Sequence, residues 1–341
     1  MEHRQLGRSG VSVSKFCLGA MMFGAWGNPD HDESIAIIHA ALDAGINFID
    51  TADVYGAGES EEIVGKALAG GRRDDVVLAT KFHNAMGENP NRRGNSRRWI
   101  MRAVEDSLRR LGTDWIDLYQ VHRPDPGTDI DETLSALSDL VHQGKVRYIG
   151  SSTFPASQIV EAQWTARERR LQRLVTEQPP YSILVRSVEG DVLPTCARHG
   201  MAVMSYSPLA GGWLSGRWRK SSGQQTSSRA SRLPERFDLA NPYNQRKLDA
   251  VEELAQLADQ AGLTLIQLAI AFAKSHPAIT SPLIGPRTMD QLQTQLAAAG
   301  VALADDVLER IDEIVPPGTT INPADSSFDN PALAPAARRR H

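Results

Sequence analysis

Asp50, Tyr55, Lys81 and His122 are residues whose types and placement could do proton chemistry together. Each closes or follows a short apolar run: Ile46-Asn-Phe-Ile49 leads into Asp50 with Tyr55 in the next loop, Val76-Val-Leu-Ala79 leads towards Lys81, and Ile116-Asp-Leu-Tyr-Gln-Val121 leads into His122. Singly, each has an ordinary structural reading: an Asx turn, a loop aromatic, a snorkelling surface lysine and a satisfied core histidine. Together they form a coherent set. A buried lysine beside a tyrosine favours tyrosinate and lowers the phenol pKa from about 10, while an adjacent aspartate keeps the lysine charged and oriented. Tyr55 then becomes a usable acid. His122 could hydrogen-bond a carbonyl and stabilise its oxygen as negative charge develops. A hydride source is missing, and that must be a cofactor.

For these side chains to converge, the runs carrying them must lie side by side, because neighbouring strands end about 5 Å apart. Runs of strand character recur near Phe16-Cys-Leu18, Ile46 to Ile49, Val76 to Ala79, Ile116 to Val121, Val146-Arg-Tyr-Ile149, Leu174-Val-Thr176, Ala202-Val-Met204 and Ile279-Thr-Ser-Pro-Leu283. Their spacing, roughly 30 to 40 residues except before the last, matches one strand plus one helix of a βαβ unit. Helical period and end signals mark Asp32 to Ala44 closing at Gly45, Ser96 to Leu111 closing at Gly112, and Asp131 to Gln143 closing at Gly144. Two more run from about Val188 to His199 before Gly200 and from Tyr243 to Ala261 before Gly262. Eight strands alternating with helices predict a closed (β/α)8 TIM barrel, one α/β domain over residues 1–315, in preference to a doubly wound sheet with an appended domain. Strand C-termini carry chemistry in such a barrel. Residues 2–15, with a Gly7-Arg-Ser-Gly10 turn, predict a β-hairpin capping the barrel bottom. The polar stretch 211–244, after strand seven, is too long for a connector and predicts a functional loop. Its Arg217, Arg219, Lys220, Arg229, Arg232 and Arg236 could bind phosphates. Residues 316–341, rich in Pro, Ala and Ser, predict an extended or partly disordered C-terminal tail.

Composition narrows the partners. The chain has 341 residues, 41% hydrophobic and 23% charged, with a net charge of −4, so it lacks the positive field expected of a nucleic-acid binder or a basic membrane-surface protein. Cys17 and Cys196 form no ligand pair, which excludes a disulfide framework and a cysteine-based zinc site; no metal is expected. The N-terminus has no apolar core of a secretory signal, and the longest apolar stretch, around Leu263 to Ala273, falls short of the roughly 20 residues of a membrane span. A cytoplasmic protein is expected. Gly56-Ala-Gly58 begins like a dinucleotide fingerprint, but Glu61 stands at the third glycine position. Gly65-Lys66 resembles the end of a phosphate-binding loop, with Ser60 for the leading glycine and Ala67 for the hydroxyl residue. A nucleotide site must come from another architecture.

At this point the chain resembles an aldo-keto reductase, of the subgroup that includes bacterial reductases and potassium-channel β-subunits. The resemblance rests on Phe48-Ile-Asp50-Thr-Ala-Asp-Val-Tyr55-Gly56, Ser60-Glu61, Gly65-Lys-Ala-Leu68, Ala79-Thr-Lys81 and Asp117-Leu-Tyr-Gln-Val-His122. It continues through Gly144-Lys-Val-Arg-Tyr-Ile-Gly150, Gln178, Tyr206-Ser-Pro-Leu209 and Ile284-Gly-Pro-Arg287, and covers residues 2 to about 315. It implies that Asp50, Tyr55, Lys81 and His122 are a catalytic tetrad, with Tyr55 as proton donor in reduction. It implies NADPH/NADP+ as cofactor, extended across the barrel mouth. Ser152, Thr153 and Gln178 would meet the nicotinamide carboxamide, although Thr153 stands where the family often has asparagine and leaves that contact open. Tyr206 would stack on the nicotinamide ring, Ser207, Leu209 and Arg217 would lie near the pyrophosphate, and Gly285, Arg287 and Gln291 would meet the adenosine end. Gly19, Met21, Asp50 and Gly211 belong to the same cofactor path, as does Gln295, where Thr294-Gln295 replaces the Glu-Asn of many members. Arg287 suits a 2′-phosphate because a guanidinium binds it bidentately.

The function so implied is NADPH-dependent reduction of a small-molecule aldehyde or ketone. Its alternative is an NADP(H)-binding redox-sensing or regulatory subunit of the same fold. A cofactor-free barrel lyase or isomerase leaves Arg287 and the Tyr206-Ser-Pro-Leu209 match unexplained. Phe23, Trp26, His83, Arg123 and Trp213, just beyond strand ends, are candidates for the substrate pocket walls. No heptad or long apolar stripe indicates an oligomer.

Overall fold

In the computed structural model, which describes residues 1–222, 224 and 225, 227–327 and 335–338, a two-stranded hairpin precedes an eight-stranded parallel sheet. The hairpin strands are β1 (His3–Gln5) and β2 (Ser12–Ser14). The barrel strands are β3 (Cys17–Gly19), β4 (Phe48–Asp50), β5 (Val77–Phe82), β6 (Ile116–Val121), β7 (Val146–Ser152), β8 (Leu174–Gln178), β9 (Ala202–Val203) and β10 (Leu283–Ile284). They pair in chain order, and β10 returns to β3. The seam between β9 and β10 is closed by backbone bonds from Thr280 N to Val203 O (2.9 Å) and from Leu283 N to Ser205 O (2.7 Å). This is the expected (β/α)8 barrel. The last strand starts later than the apolar run around Ile279 suggests, because Pro282 cannot donate to a ladder and only its carbonyl is used, by Cys17 N (3.1 Å).

The α-helices among the described residues are α1 (His31–Asp43), α2 (Glu59–Leu68), α3 (Arg97–Leu111), α4 (Ile130–His142), α5 (Ala156–Arg169), α6 (Val192–His199), α7 (Ser228–Arg232), α8 (Pro242–Gln260), α9 (Leu265–Ser275), α10 (Met289–Leu296), α11 (Asp305–Ile314) and a single turn, α12 (Pro335–Arg338). Their ends follow local chemistry. Ser96 caps α3 by accepting from Trp99 N, and Gly112 closes it in the left-handed conformation. The run read as one helix from Val188 to His199 is instead a short turn and α6, because the Asp191 side chain accepts from Val192 N and starts the helix afresh. The apolar stretch after Leu263 is α9, a buried barrel helix opened by a Thr264/Gln267 capping box. Among the described residues no single helix is long and apolar enough to cross a membrane.

The barrel interior is divided by height. At the bottom, Leu6 and Val13 of the hairpin region meet Cys17, Phe48, Ala79, Leu118, Ala202, Met204 and Leu283 in one apolar cluster. The hairpin turn sits so close that a Cβ at Gly7 (φ +60°) would lie 2.7 Å from Gly200 O. The top is polar and open. Residues 316–327 run back over the barrel: Ile321 N donates to Leu184 O (3.2 Å), and Asp325 accepts from the buried Lys247 (2.8 Å). Of the C-terminal tail, 328–334 and 339–341 lie outside the described residues.

Candidate active site

Strand register brings the sequence candidates together. Gly19 pairs with Asp50 and Lys81 with Gln120, while Ser152 pairs with Gln178, so their side chains ring the top of the barrel. Lys81 is fully buried. Its Nζ donates to Asp50 Oδ2 (2.5 Å), to the Thr51 carbonyl (2.8 Å) and to the Tyr55 hydroxyl oxygen (3.3 Å). An ammonium has three hydrogens, and all are thereby committed. The Tyr55 proton is therefore free to point elsewhere, into the cavity that the ring lines. Asp50 is fixed from the other side by Gln120 Nε2 (2.9 Å) and Gln178 Nε2 (3.0 Å), both donating to Oδ1. The Tyr55 backbone sits in a tight turn that continues through Gly56, Ala57 and Gly58, all with positive φ.

Electrostatics refine the expected chemistry. Burial pushes the Tyr55 phenol above its ordinary pKa, and this outweighs the opposing Lys81 charge. The expected lowering is thus reversed in net direction, because the sequence pairs a lysine with a tyrosine but does not display the desolvation. Lys81 loses from burial and gains more from Asp50 and Tyr55, so its ammonium is held above the usual range. His122 lies edge-on to Tyr55, with ring centroids 5.8 Å apart. Burial, reinforced by Lys81 and Arg123, keeps its imidazole well below the usual pKa. Asn84 Nδ2 donates to His122 Nδ1 (3.0 Å), which assigns the ring proton to Nε2. A neutral N–H donor beside a protonated phenol is the pairing needed to hold and protonate a carbonyl oxygen.

The tetrad opens into a cavity of about 740 Å³ that runs from the barrel mouth to α10. Gly19, Met21, Asp50, Ser152, Gln178, Tyr206, Ser207, Leu209, Gly211, Arg217, Gly285, Arg287, Gln291 and Gln295 all line it. Thr153 does not; its hydroxyl accepts from Arg123 Nη1. The 211–244 segment crosses above: Arg232 lies over the Trp26 ring (5.3 Å) and Arg229 Nη2 reaches Met22 Sδ (3.8 Å). Of its cations, Arg219 and Lys220 turn away to Glu252 and Asp249 (both 2.7 Å), whereas Arg217, Arg229 and Arg236 line the cavity. Burial first, then Arg232, Arg236 and Arg287, lower the pKa of Arg229. Arg236 lies within reach of Glu235 (3.9 Å) and Asp325 (4.0 Å), and Arg217 is exposed. The half-buried Arg229, by contrast, has no carboxylate partner among the described residues, and a desolvated cation in that position favours an anion. Tyr206 Oη is buried without a partner among the described residues. A cationic far end, an aromatic with an unsatisfied hydroxyl and a polar barrel mouth fit a nicotinamide dinucleotide.

The pocket-wall candidates separate. Trp26 and Arg123 line the cavity, with the Trp26 ring 5.8 Å from Tyr55. Phe23 is fully buried outside the lining. Trp213 packs with Trp218 (4.2 Å) and Phe237 (6.1 Å), which also meet each other (5.9 Å), and the three rings hold the loop together from inside. His83, in a strained φ of 137°, bonds Asn95 rather than lining the cavity. Sequence reading assigned no role to Gln120 or Asn84. For Gln120 there was a signal, a polar residue on the same strand face as Leu118 and His122; Asn84 offered none.

Comparison with known proteins completes the picture. Residues 15–316 match the model of the Aldo/keto reductase family. The chain is 41% identical over 326 residues to "Uncharacterized oxidoreductase YrpG" of Bacillus subtilis (strain 168), covering 93% of this chain and 96% of that one. It is 36% identical over 332 residues to a "Probable voltage-gated potassium channel subunit beta" of Arabidopsis thaliana, covering 92% and 97%. It is 36% identical over 342 residues to "Aldo-keto reductase YhdN" of Bacillus subtilis (strain 168), covering 99% of both.

Proposed function

Since the chain belongs to the aldo/keto reductase family, a family of oxidoreductases, we propose that it is an NADPH-dependent carbonyl reductase with Tyr55 as general acid. One observation carries the reading: a buried Asp50–Lys81–Tyr55 chain and a neutral His122 stand at the head of a cavity whose far end is lined by Arg217, Arg229 and Arg287. When bound, the reduced nicotinamide dinucleotide supplies a hydride. Gln178 and Ser152 would meet its carboxamide, Tyr206 its ring, and the arginines its phosphates. Arg287 is suited to a 2′-phosphate: its backbone is fixed by Gln291 Oε1 (2.9 Å) and Asn28 Nδ2 (2.8 Å), so the guanidinium projects from a rigid base.

The chain's own residues do the rest. His122 Nε2–H and the Tyr55 hydroxyl hold the carbonyl oxygen of a small-molecule aldehyde or ketone, and Tyr55 gives that oxygen its proton as the carbon is reduced. Lys81 Nζ, 3.3 Å away, stabilises the phenolate left behind. The product is the alcohol. The test is NADPH oxidation, followed by absorbance, over a panel of aldehydes, ketones and quinones. Tyr55→Phe should bind NADPH almost as wild type does and lose about a hundredfold or more in turnover; retained turnover removes Tyr55 from the role. Arg287→Ala should weaken NADPH far more than NADH, and equal weakening would reassign it to general positioning. Tight NADPH binding by wild type without turnover of any carbonyl would instead favour a regulatory subunit of the same fold.

A further inference from the structure

The cavity's charges are unevenly used. Its lining includes Arg123, Arg217, Arg229, Arg236 and Arg287 against two carboxylates. Asp50 is taken by Lys81 (2.5 Å), and Asp325 is shared by Lys247 (2.8 Å) and Arg236 (4.0 Å). Arg217, Arg229 and Arg236 come from the loop after β9 and Arg287 follows β10, at the phosphate end of the proposed cofactor site. Arg123 stands apart from them. It follows His122 directly, at the end where the carbonyl would react, and its charge acts on Tyr55, His122 and the buried Glu177.

Arg123 is also held in place. Its Nη1 donates to Thr153 Oγ1, and its carbonyl accepts from Asn95 Nδ2 (3.0 Å). Thr153 pays for that contact with a φ of 59°, a conformation a β-branched residue rarely adopts, and its own N–H is tied to Gln178 O (3.1 Å). The acid nearest in the chain, Asp125, is occupied by Asn95 N (3.1 Å), Gly127 N (3.0 Å) and Thr128 Oγ1 (2.8 Å). One arm of the guanidinium is thus spent on Thr153, and the rest of the planar fork has no carboxylate among the described residues. Such a fork binds a planar oxyanion bidentately.

We infer that Arg123, oriented by Thr153, is a specificity residue that selects carbonyl substrates carrying an anionic group, a carboxylate or a phosphate, beside the reacting carbonyl. This rests on the reductase reading above. The reducible probes are 2-, 3- and 4-carboxybenzaldehyde, each against its neutral carboxamide, and glyceraldehyde 3-phosphate against glyceraldehyde. At least one anionic probe should have a KM about tenfold or more below that of its neutral partner. The carboxybenzaldehydes and the phosphate separate the two anion classes. Arg123→Leu should bring that KM ratio close to one, Arg123→Lys should restore part of it, and Thr153→Val should lower it. A ratio near one in wild type for every pair overturns the inference. So does an Arg123→Leu protein in which anionic and neutral probes lose equally, which would make Arg123 a scaffold for the mouth. If wild type reduces no probe, the reductase reading fails by itself. Calorimetric binding of benzoate and benzamide then decides the inference: benzoate bound in preference by wild type, with the preference gone in Arg123→Leu, supports it, and no preference overturns it.

Discussion

Lys81 is a charge placed where water cannot reach it, and its value depends on having Asp50 2.5 Å away. Removing one partner of such a buried pair leaves the other uncompensated, which costs about 3–5 kcal/mol, whereas removing both with shape preserved costs far less. Lys81→Met should therefore lower the melting temperature sharply and abolish carbonyl-dependent NADPH oxidation. The double variant Asp50→Asn/Lys81→Met should recover most of the stability and none of the turnover, because Gln120 and Gln178 retain an amide oxygen to bond and Tyr55 still lacks its ammonium. Differential scanning calorimetry beside the absorbance assay separates the two effects. A double variant no more stable than the single one would trace the loss to packing of the lysine stem.

The segment between β9 and α8 works as an element in the same way. Trp213, Trp218 and Phe237 stack into a small core of its own, Lys247 lies over the Trp213 ring (4.5 Å), and Lys247 Nζ donates to Arg236 O (2.8 Å) and Asp325 Oδ2 (2.8 Å). That core holds Arg229 over the cavity at a cost in desolvation that an anion would offset. Arg229→Leu should raise the melting temperature of the cofactor-free protein slightly while shrinking the rise that saturating NADPH or NADH produces, and fluorescence titration should find both dinucleotides weakened alike. An unchanged cofactor-induced shift would place Arg229 outside the phosphate site. Much of this element is invisible in sequence for a stated reason. An aromatic just past a strand end has the same signature whether it faces a cavity, as Trp26 does, or fills a core, as Phe23 and Trp213 do. The tetrad was legible because four chemically matched residues end or follow three consecutive strands; strand register sets Asp50, Lys81 and His122 side by side, and the turn after β4 brings Tyr55 to them. The direction of the Tyr55 shift was not, since it turns on desolvation. The split at Asp191 and the late start of β10 depended on a single cap and a single proline.

Across the whole molecule the barrel combines an apolar floor with a polar ceiling, and the ceiling makes global stability depend on pH. Gln178 faces the barrel axis, so Glu177 beside it faces the surrounding layer, beneath the turn that carries Thr153. There Oε2 accepts from Ser151 Oγ (2.5 Å) and Oε1 from Phe154 N (3.1 Å). Burial outweighs these bonds and the Arg123 charge, and raises the Glu177 carboxyl from 4.5 to about 7. Between those values the folded protein holds a proton that the unfolded chain has released, so the stabilisation from this group is complete below about 4.5 and is lost as pH rises through about 7. Glu177→Gln keeps an acceptor for Phe154 N and removes the titration. Urea unfolding of both proteins from pH 4.5 to 8 should find the variant gaining on wild type by a few kcal/mol across that interval and then running parallel to it. A difference that stays constant with pH would mean that Glu177 titrates in the fold as it does in the unfolded chain, and that the Thr153 turn rests on a charged carboxylate at neutral pH.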